Sequence, residues 1–165
     1  MASIARIAPL LVLLLAQGCA TPPRSLYADL GGRDGVDAIA LELLSRTSDD
    51  SRIAHHFRNA NIVRLHEKLV ELICVEAGGP CVYSGASMAE AHAGRGLTEA
   101  DFNALVENLI DAMESLDVPR RAQFRLLERL AAMHGEVLAP PRPRQARDDA
   151  ASPPQDPTAA HRSGR

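Results

Sequence analysis

His92 closes a short helical turn in Met88-Ala89-Glu90-Ala91-His92-Ala93-Gly94-Arg95-Gly96-Leu97-Thr98, with two glycines close behind it. Imidazole is the commonest protein ligand for a metal, and the residues after it decide whether the ring is held away from the backbone or buried as filler. Gly94 and Gly96 admit positive φ, so the chain can turn sharply and a flat, bulky group can come close to the backbone. Leu97-Thr98-Glu99-Ala100-Asp101-Phe102 then reads as a fresh helix start, with Thr98 as N-cap and acidic residues in the first turn. Taken locally, the same residues also describe a helix C-terminus that carries a favourable histidine and a glycine cap.

Three cysteines offer other chemistry. Cys74 and Cys81 flank Val75-Glu76-Ala77-Gly78-Gly79-Pro80, whose Gly-Gly-Pro ends a helix and reverses the chain. That reversal can bring the two Cα atoms to the roughly 5.5 Å a disulfide needs, and two semi-buried thiols are the alternative. Cys19 follows Ala16-Gln17-Gly18 at the end of an apolar run, Ile7 to Ala16, that Arg6 precedes. This run is short of the roughly 20 apolar residues of a stable transmembrane helix. It resembles a bacterial lipoprotein signal over residues 1–18, with Cys19 the lipid-modified residue, although Ala16 stands where such signals usually carry Leu. The expectation is a membrane-anchored lipoprotein of the bacterial cell envelope, facing the periplasm or the exterior, with ordinary secretion as the alternative. Compartments outside the cytoplasm keep disulfides oxidised.

The elements that must position these residues are helical. Every long periodic segment has helical spacing and none alternates like a half-buried strand, so the chain is all-α. A tether at 19–24 leads to a domain from about Ser25 to about Leu138, and residues 139–165, rich in Pro and Arg, predict a disordered tail. Ser25 to Leu30 is a short turn ended by Gly31-Gly32. The next helix spans Val36 to Arg46, with Val36, Ile39, Ala40, Leu43, Leu44 and Thr47 on one stripe. A loop at Asp49-Asp50-Ser51 and a turn at Arg52 to Phe57 follow. A helix over Ile62 to Ala77 carries Leu65, Leu69, Leu72 and Ile73 on one face, and two more span about Glu99 to Leu116 and Pro119 to Val137. His55 and His56 read as surface histidines, and His134 and His161 have no evident partner. The net charge of −3, the absence of Trp and the 3% aromatic content argue against a nucleic-acid partner.

Leu26-Tyr27, Leu30-Gly31-Gly32, Phe57, Ala77-Gly78-Gly79-Pro80, Tyr83-Ser84-Gly85, Met88, His92 to Thr98 and Phe102, in that order, resemble the truncated haemoglobins, most like the first group. The resemblance spans about Ser25 to Val137. It implies a two-over-two helical sandwich around haem b (iron protoporphyrin IX), with His92 as proximal ligand through Nε2 and a diatomic gas on the other side. The Leu65, Leu69, Leu72, Ile73 face would lie over the porphyrin, Phe57 would stack on it and Lys68 would pair with a propionate. Met88, Leu97, Phe102 and Leu105 fall at pocket-lining positions. In the family, a Tyr and a Gln often donate to bound oxygen; here Leu44 and Leu69 stand at those places, with Leu65 as the third distal residue. His66 lies about 100° around the helix from Leu65, off that face.

Without a distal donor, the resemblance implies weakened oxygen binding and favours nitric oxide or carbon monoxide handling, ligand sensing, or nitric-oxide-dioxygenase-like turnover. Gly94-Arg95-Gly96 lacks the preceding strand of a dinucleotide fingerprint, so electrons would come from an external donor. Peroxidase-like chemistry lacks a distal acid or base. The alternative is a haem-free helical envelope lipoprotein that acts as a binding module.

Overall fold

The computed structural model describes residues 24–139. The lipoprotein-type signal, Cys19, His161 and the tail beyond Ala139 lie outside them. Among the described residues all regular structure is helical: α1 (Leu26–Asp29), α2 (Gly32–Asp49), a 3-10 turn (Ala54–Phe57), α3 (Ile62–Glu76), α4 (Met88–His92), α5 (Glu99–Ser115), α6 (Arg120–Ala131) and α7 (His134–Val137).

Four long helices make the frame. Within each layer α2 packs on α3 and α5 on α6; across the layers α2 meets α5 and α3 meets α6. This is a two-over-two helical sandwich. Its core takes Ile39 and Leu43 from α2, Val70 and Ile73 from α3, Leu109 and Met113 from α5, and Leu126 from α6. Burial of each such side chain contributes about 1.5–3 kcal/mol. Leu26 and Leu30 extend the core beneath α1, whose Tyr27 N–H donates to Ala77 O at 3.1 Å.

Three element boundaries differ from the sequence expectation. Helix α2 begins at Gly32 rather than Val36 and continues to Asp49. The apolar stripe marks only the buried part of a helix, and its polar first turn is helical all the same. Pro119 is the N-cap of α6 rather than its first helical residue. The single helix expected over 119–137 is two. After α6 the chain tightens, with Met133 N–H on Leu130 O at 3.0 Å, and α7 then packs on α4. A tight turn keeps the side-chain rhythm nearly intact, so spacing does not register it.

Polar contacts fix the connection that ends in Phe57. Arg52 Nη2 donates to Asp50 at 2.8 Å, Arg52 Nη1 to Glu107 at 2.6 Å, and Asn108 Nδ2 to Asp50 at 3.0 Å. The hydrogen bond from the Arg52 side chain, with further help from the Arg52 N–H and Asn108, holds the Asp50 carboxyl well below the usual carboxylate range.

Candidate functional site

Helix α4 is only five residues long and buries none of them fully, so its ends must hold it. At its start the Ser87 hydroxyl accepts from Glu90 N–H, while the Glu90 carboxylate accepts from Ser87 N–H at 3.0 Å. At its end stands His92, half-buried, with Nδ1 2.8 Å from Met88 O. A carbonyl oxygen only accepts, so the Nδ1 nitrogen carries the proton and donates. In the neutral ring Nε2 is left with its lone pair free to bind a metal.

The chain then leaves the helix through Gly94 at φ 71° and Gly96 at φ 64°. A Cβ at either would meet nothing within 4 Å, so backbone conformation and not crowding calls for glycine there. Thr98 caps α5: its hydroxyl accepts from Asp101 N–H at 3.2 Å and the Asp101 carboxylate accepts from Thr98 N–H at 2.8 Å. Hydrogen bonds from Thr98, with a smaller contribution from His56, hold the Asp101 carboxyl below its usual range.

Helix α3 has two apolar faces. Val70, Ile73 and Cys74 are buried in the main core, whereas Leu65, Leu69 and Leu72 are half-buried on a neighbouring flank. At about 100° per residue these two sets centre on directions more than a quarter-turn apart. Ile73 therefore belongs to the core and not, as the spacing suggested, to the Leu65-Leu69-Leu72 face. His66 points to α2, with Nε2 3.4 Å from Asp37 O and 3.6 Å from Asp37 Oδ1. Leu44 is 9% exposed yet stands outside the main core cluster.

The remaining sequence candidates are half-buried too. Phe57 ends the 3-10 turn, Met88 opens α4, Leu97 precedes the α5 cap, and Phe102 and Leu105 lie one turn apart on α5. Lys68 is engaged within the protein: its Nζ donates to Glu71 at 2.8 Å and to the Ser84 hydroxyl at 2.6 Å. Ser84 N–H donates to the other Glu71 oxygen at 2.9 Å, so α3 is fastened to the segment that leads into α4. The Lys68 hydrogen bond, then that from Ser84 N–H, lowers the Glu71 carboxyl to about 2. Cys74 and Cys81 form a disulfide, Cα to Cα 5.9 Å, at the same junction.

Two histidines have partners that the sequence pattern does not contain. His134 has partners after all: its Nε2 lies 2.8 Å from Glu99 and its ring meets Phe102 edge-on. His56 is not a surface residue. Its side chain is 16% exposed and Nε2 lies 3.4 Å from Asp101 Oδ1, an ion contact when the ring is charged. No local signal marks either pairing, since the partners are brought together only by the fold.

A histidine with a free Nε2, in a fold that leaves Leu65, Leu69, Leu72, Phe57 and Phe102 only half-covered, suits a flat apolar cofactor that a single imidazole would hold. The profile of the bacterial-like globin family matches residues 25–139. The group 1 truncated hemoglobin of Mycolicibacterium paratuberculosis is 30% identical over 124 residues, 75% of this chain and 91% of that protein. The chain belongs to the bacterial-like globins and, among them, to the group 1 truncated haemoglobins. Among solved structures, truncated hemoglobin from Tetrahymena pyriformis in the Fe(III) form superposes with a TM-score of 0.68 at 25% identity, over 70% of this chain and 98% of that one. The 2/2 hemoglobin from Synechococcus sp., in the cyanomet state with covalently attached heme, gives 0.65 over the same shares. As a truncated haemoglobin the protein is a haem-binding globin, and its family binds diatomic gases.

Proposed function

We propose that this truncated haemoglobin holds haem b through His92 Nε2 and presents its diatomic ligand with a distal face of Leu44, Leu65 and Leu69 that offers no hydrogen bond. The hydrogen bond from His92 Nδ1 to Met88 O, 2.8 Å, is the observation that carries this reading. It fixes the tautomer and limits ring rotation before any iron arrives. Phe57, Leu72, Met88, Leu97, Phe102 and Leu105 supply apolar wall. Lys68 would exchange its Glu71 and Ser84 partners, or share them, to pair with a propionate. When bound, the haem would supply a site for a small ligand and a one-electron couple. What this chain's residues add is selectivity.

Oxygen draws negative charge onto itself when bound, so a nearby donor in a dry pocket favours it. A hydrogen bond to a charged acceptor is worth about 1.5–3 kcal/mol, roughly ten- to a hundredfold in affinity. Three leucines forgo that gain for oxygen and lose little for nitric oxide or carbon monoxide. The reading is therefore nitric oxide handling or ligand sensing. If turnover joins nitric oxide and oxygen to nitrate, a separate donor must return one electron per cycle. Oxygen-dissociation stopped flow tests the pocket: a fast off-rate is expected, and a slow one with a hydrogen-bonded iron-ligand stretch contradicts it.

Residues 1–24 support the same protein acting from a lipid anchor at Cys19 on the bacterial envelope. Its test is fractionation, in which Cys19→Ser should move the protein from membranes to the soluble fraction. The haem-free binding module has no observation in its favour.

A further inference from the structure

The Cys74–Cys81 disulfide occupies a position from which it can act on the histidine-bearing helix. Cys74 lies on the last turn of α3 and is fully buried, while Cys81 begins the segment that leads to α4. Gly79 is squeezed beside the bridge, where a Cβ would fall 2.6 Å from Cys74 Sγ and 2.6 Å from the Tyr27 ring. Bridge, α1 and the end of α3 are thus packed as one block. Beyond Cys81 the hydrogen bonds from this segment to α3 are those of Ser84 with Glu71 and Lys68, which are exposed, while the Tyr83 hydroxyl donates to Ala86 O at 2.9 Å within the segment itself. Bonds of that kind contribute little each in water. Removal of the disulfide takes away the cross-link between that block and the segment leading to α4, a helix that buries no residue fully and packs on α7.

The two cysteines differ in exposure, and only Cys81 borders a cleft. A cleft of about 470 Å³ between the start of α2 and α3 is lined by Arg33, Asp37, His66, Pro80, Cys81 and Val82. Cys81 borders it and is partly exposed; Cys74 has no exposure.

We propose that Cys74–Cys81 is a thiol-exchange site, addressed at Cys81 by a dithiol reductant, and that its reduction loosens α4 and with it the grip on haem. A thiolate of the reductant attacks Cys81 Sγ, the Cys74–Cys81 bond breaks, and Cys74 leaves as thiolate and takes up a proton. The second thiol of the reductant then attacks the mixed disulfide and frees Cys81. Two electrons pass from the dithiol, which becomes a disulfide, to the protein. The proposal rests on α4 being the haem-bearing helix.

The experiment follows hemin transfer from the full chain to excess apomyoglobin, before and after dithiothreitol, with thiols counted by mass spectrometry. Reduction should speed transfer by roughly ten- to a hundredfold, the range that loss of an ordinary short-loop disulfide allows. Cys81→Ser should be fast with or without dithiothreitol. A monothiol, 2-mercaptoethanol, should leave its adduct on Cys81. An unchanged transfer rate with both thiols free, or an adduct on Cys74, overturns the proposal even if the serine variant does not fold. A chain with no Soret band in either state overturns the haem-site reading and the latch together, and is distinguished by the absence of any hemin to transfer.

Discussion

The ring of His134 stands edge-on to that of Phe102, centroids 4.7 Å apart and planes at 89°, with its Nε2 2.8 Å from Glu99. This contact closes the C-terminal turn over the start of α5, and α7 is the element on which α4 chiefly packs. The histidine-bearing helix is thus supported, through α7, by a second histidine from the C-terminal turn.

That support has a measurable size. His134→Ala removes an edge-to-face aromatic pair worth about 0.5–1.5 kcal/mol together with the exposed contact to Glu99, an ion pair only when the ring is charged. Thermal unfolding of the variant should show a lowered Tm, and its hemin loss should quicken. Unaltered values in both would mean that α7 does not brace α4.

The core sets the larger energies. Leu126 has no exposed surface and lies where α6 meets the other layer. Leu126→Ala should cost about 2–5 kcal/mol in denaturant unfolding, because the rigid frame cannot collapse onto the hole. Leu41→Ala, at a site 61% exposed, should cost under about 0.5 kcal/mol.

Acid should act on the α3 junction. The Lys68 and Ser84 bonds lower the Glu71 carboxyl from the ordinary 4.5 to about 2. A group whose folded value is depressed stabilises the fold above its unfolded value, and that contribution fades as pH falls through the folded one. The wild-type chain should therefore lose stability between about pH 4.5 and 2, and Glu71→Gln should flatten that part of the profile, read by chemical unfolding at stepped pH.

Much of this was legible in the residues. The i to i−4 bond from His92 to Met88 lies within one turn, and the Leu65, Leu69, Leu72 flank shows in the spacing alone. Ile73 was misplaced because a face drawn from apolar residues cannot tell core from cleft when both adjoin. The partners of His134 and His56 lie on other helices, Glu99 and Asp101, so no local pattern contains them. Lys68 shows a related limit: its charge and position were plain, but Ser84, sixteen residues on, is brought to it by the reversal at the disulfide.

A donor can be restored where the family often has one. Leu69→Gln or Leu44→Tyr should slow oxygen dissociation by roughly ten- to a hundredfold while carbon monoxide binding changes far less. An equal change for both gases would mean that size, not hydrogen bonding, had been altered.

Everything proposed for the haem depends on His92 holding the iron. The most direct measurement is the ferrous and carbon monoxide absorption spectrum of wild type and His92→Gly, each with and without added imidazole. Wild type should show a five-coordinate ferrous spectrum that becomes six-coordinate with carbon monoxide; both should be lost or weakened in the glycine variant and return when imidazole fills the space left by the side chain. A His92→Gly spectrum identical to wild type without imidazole would contradict that role for His92.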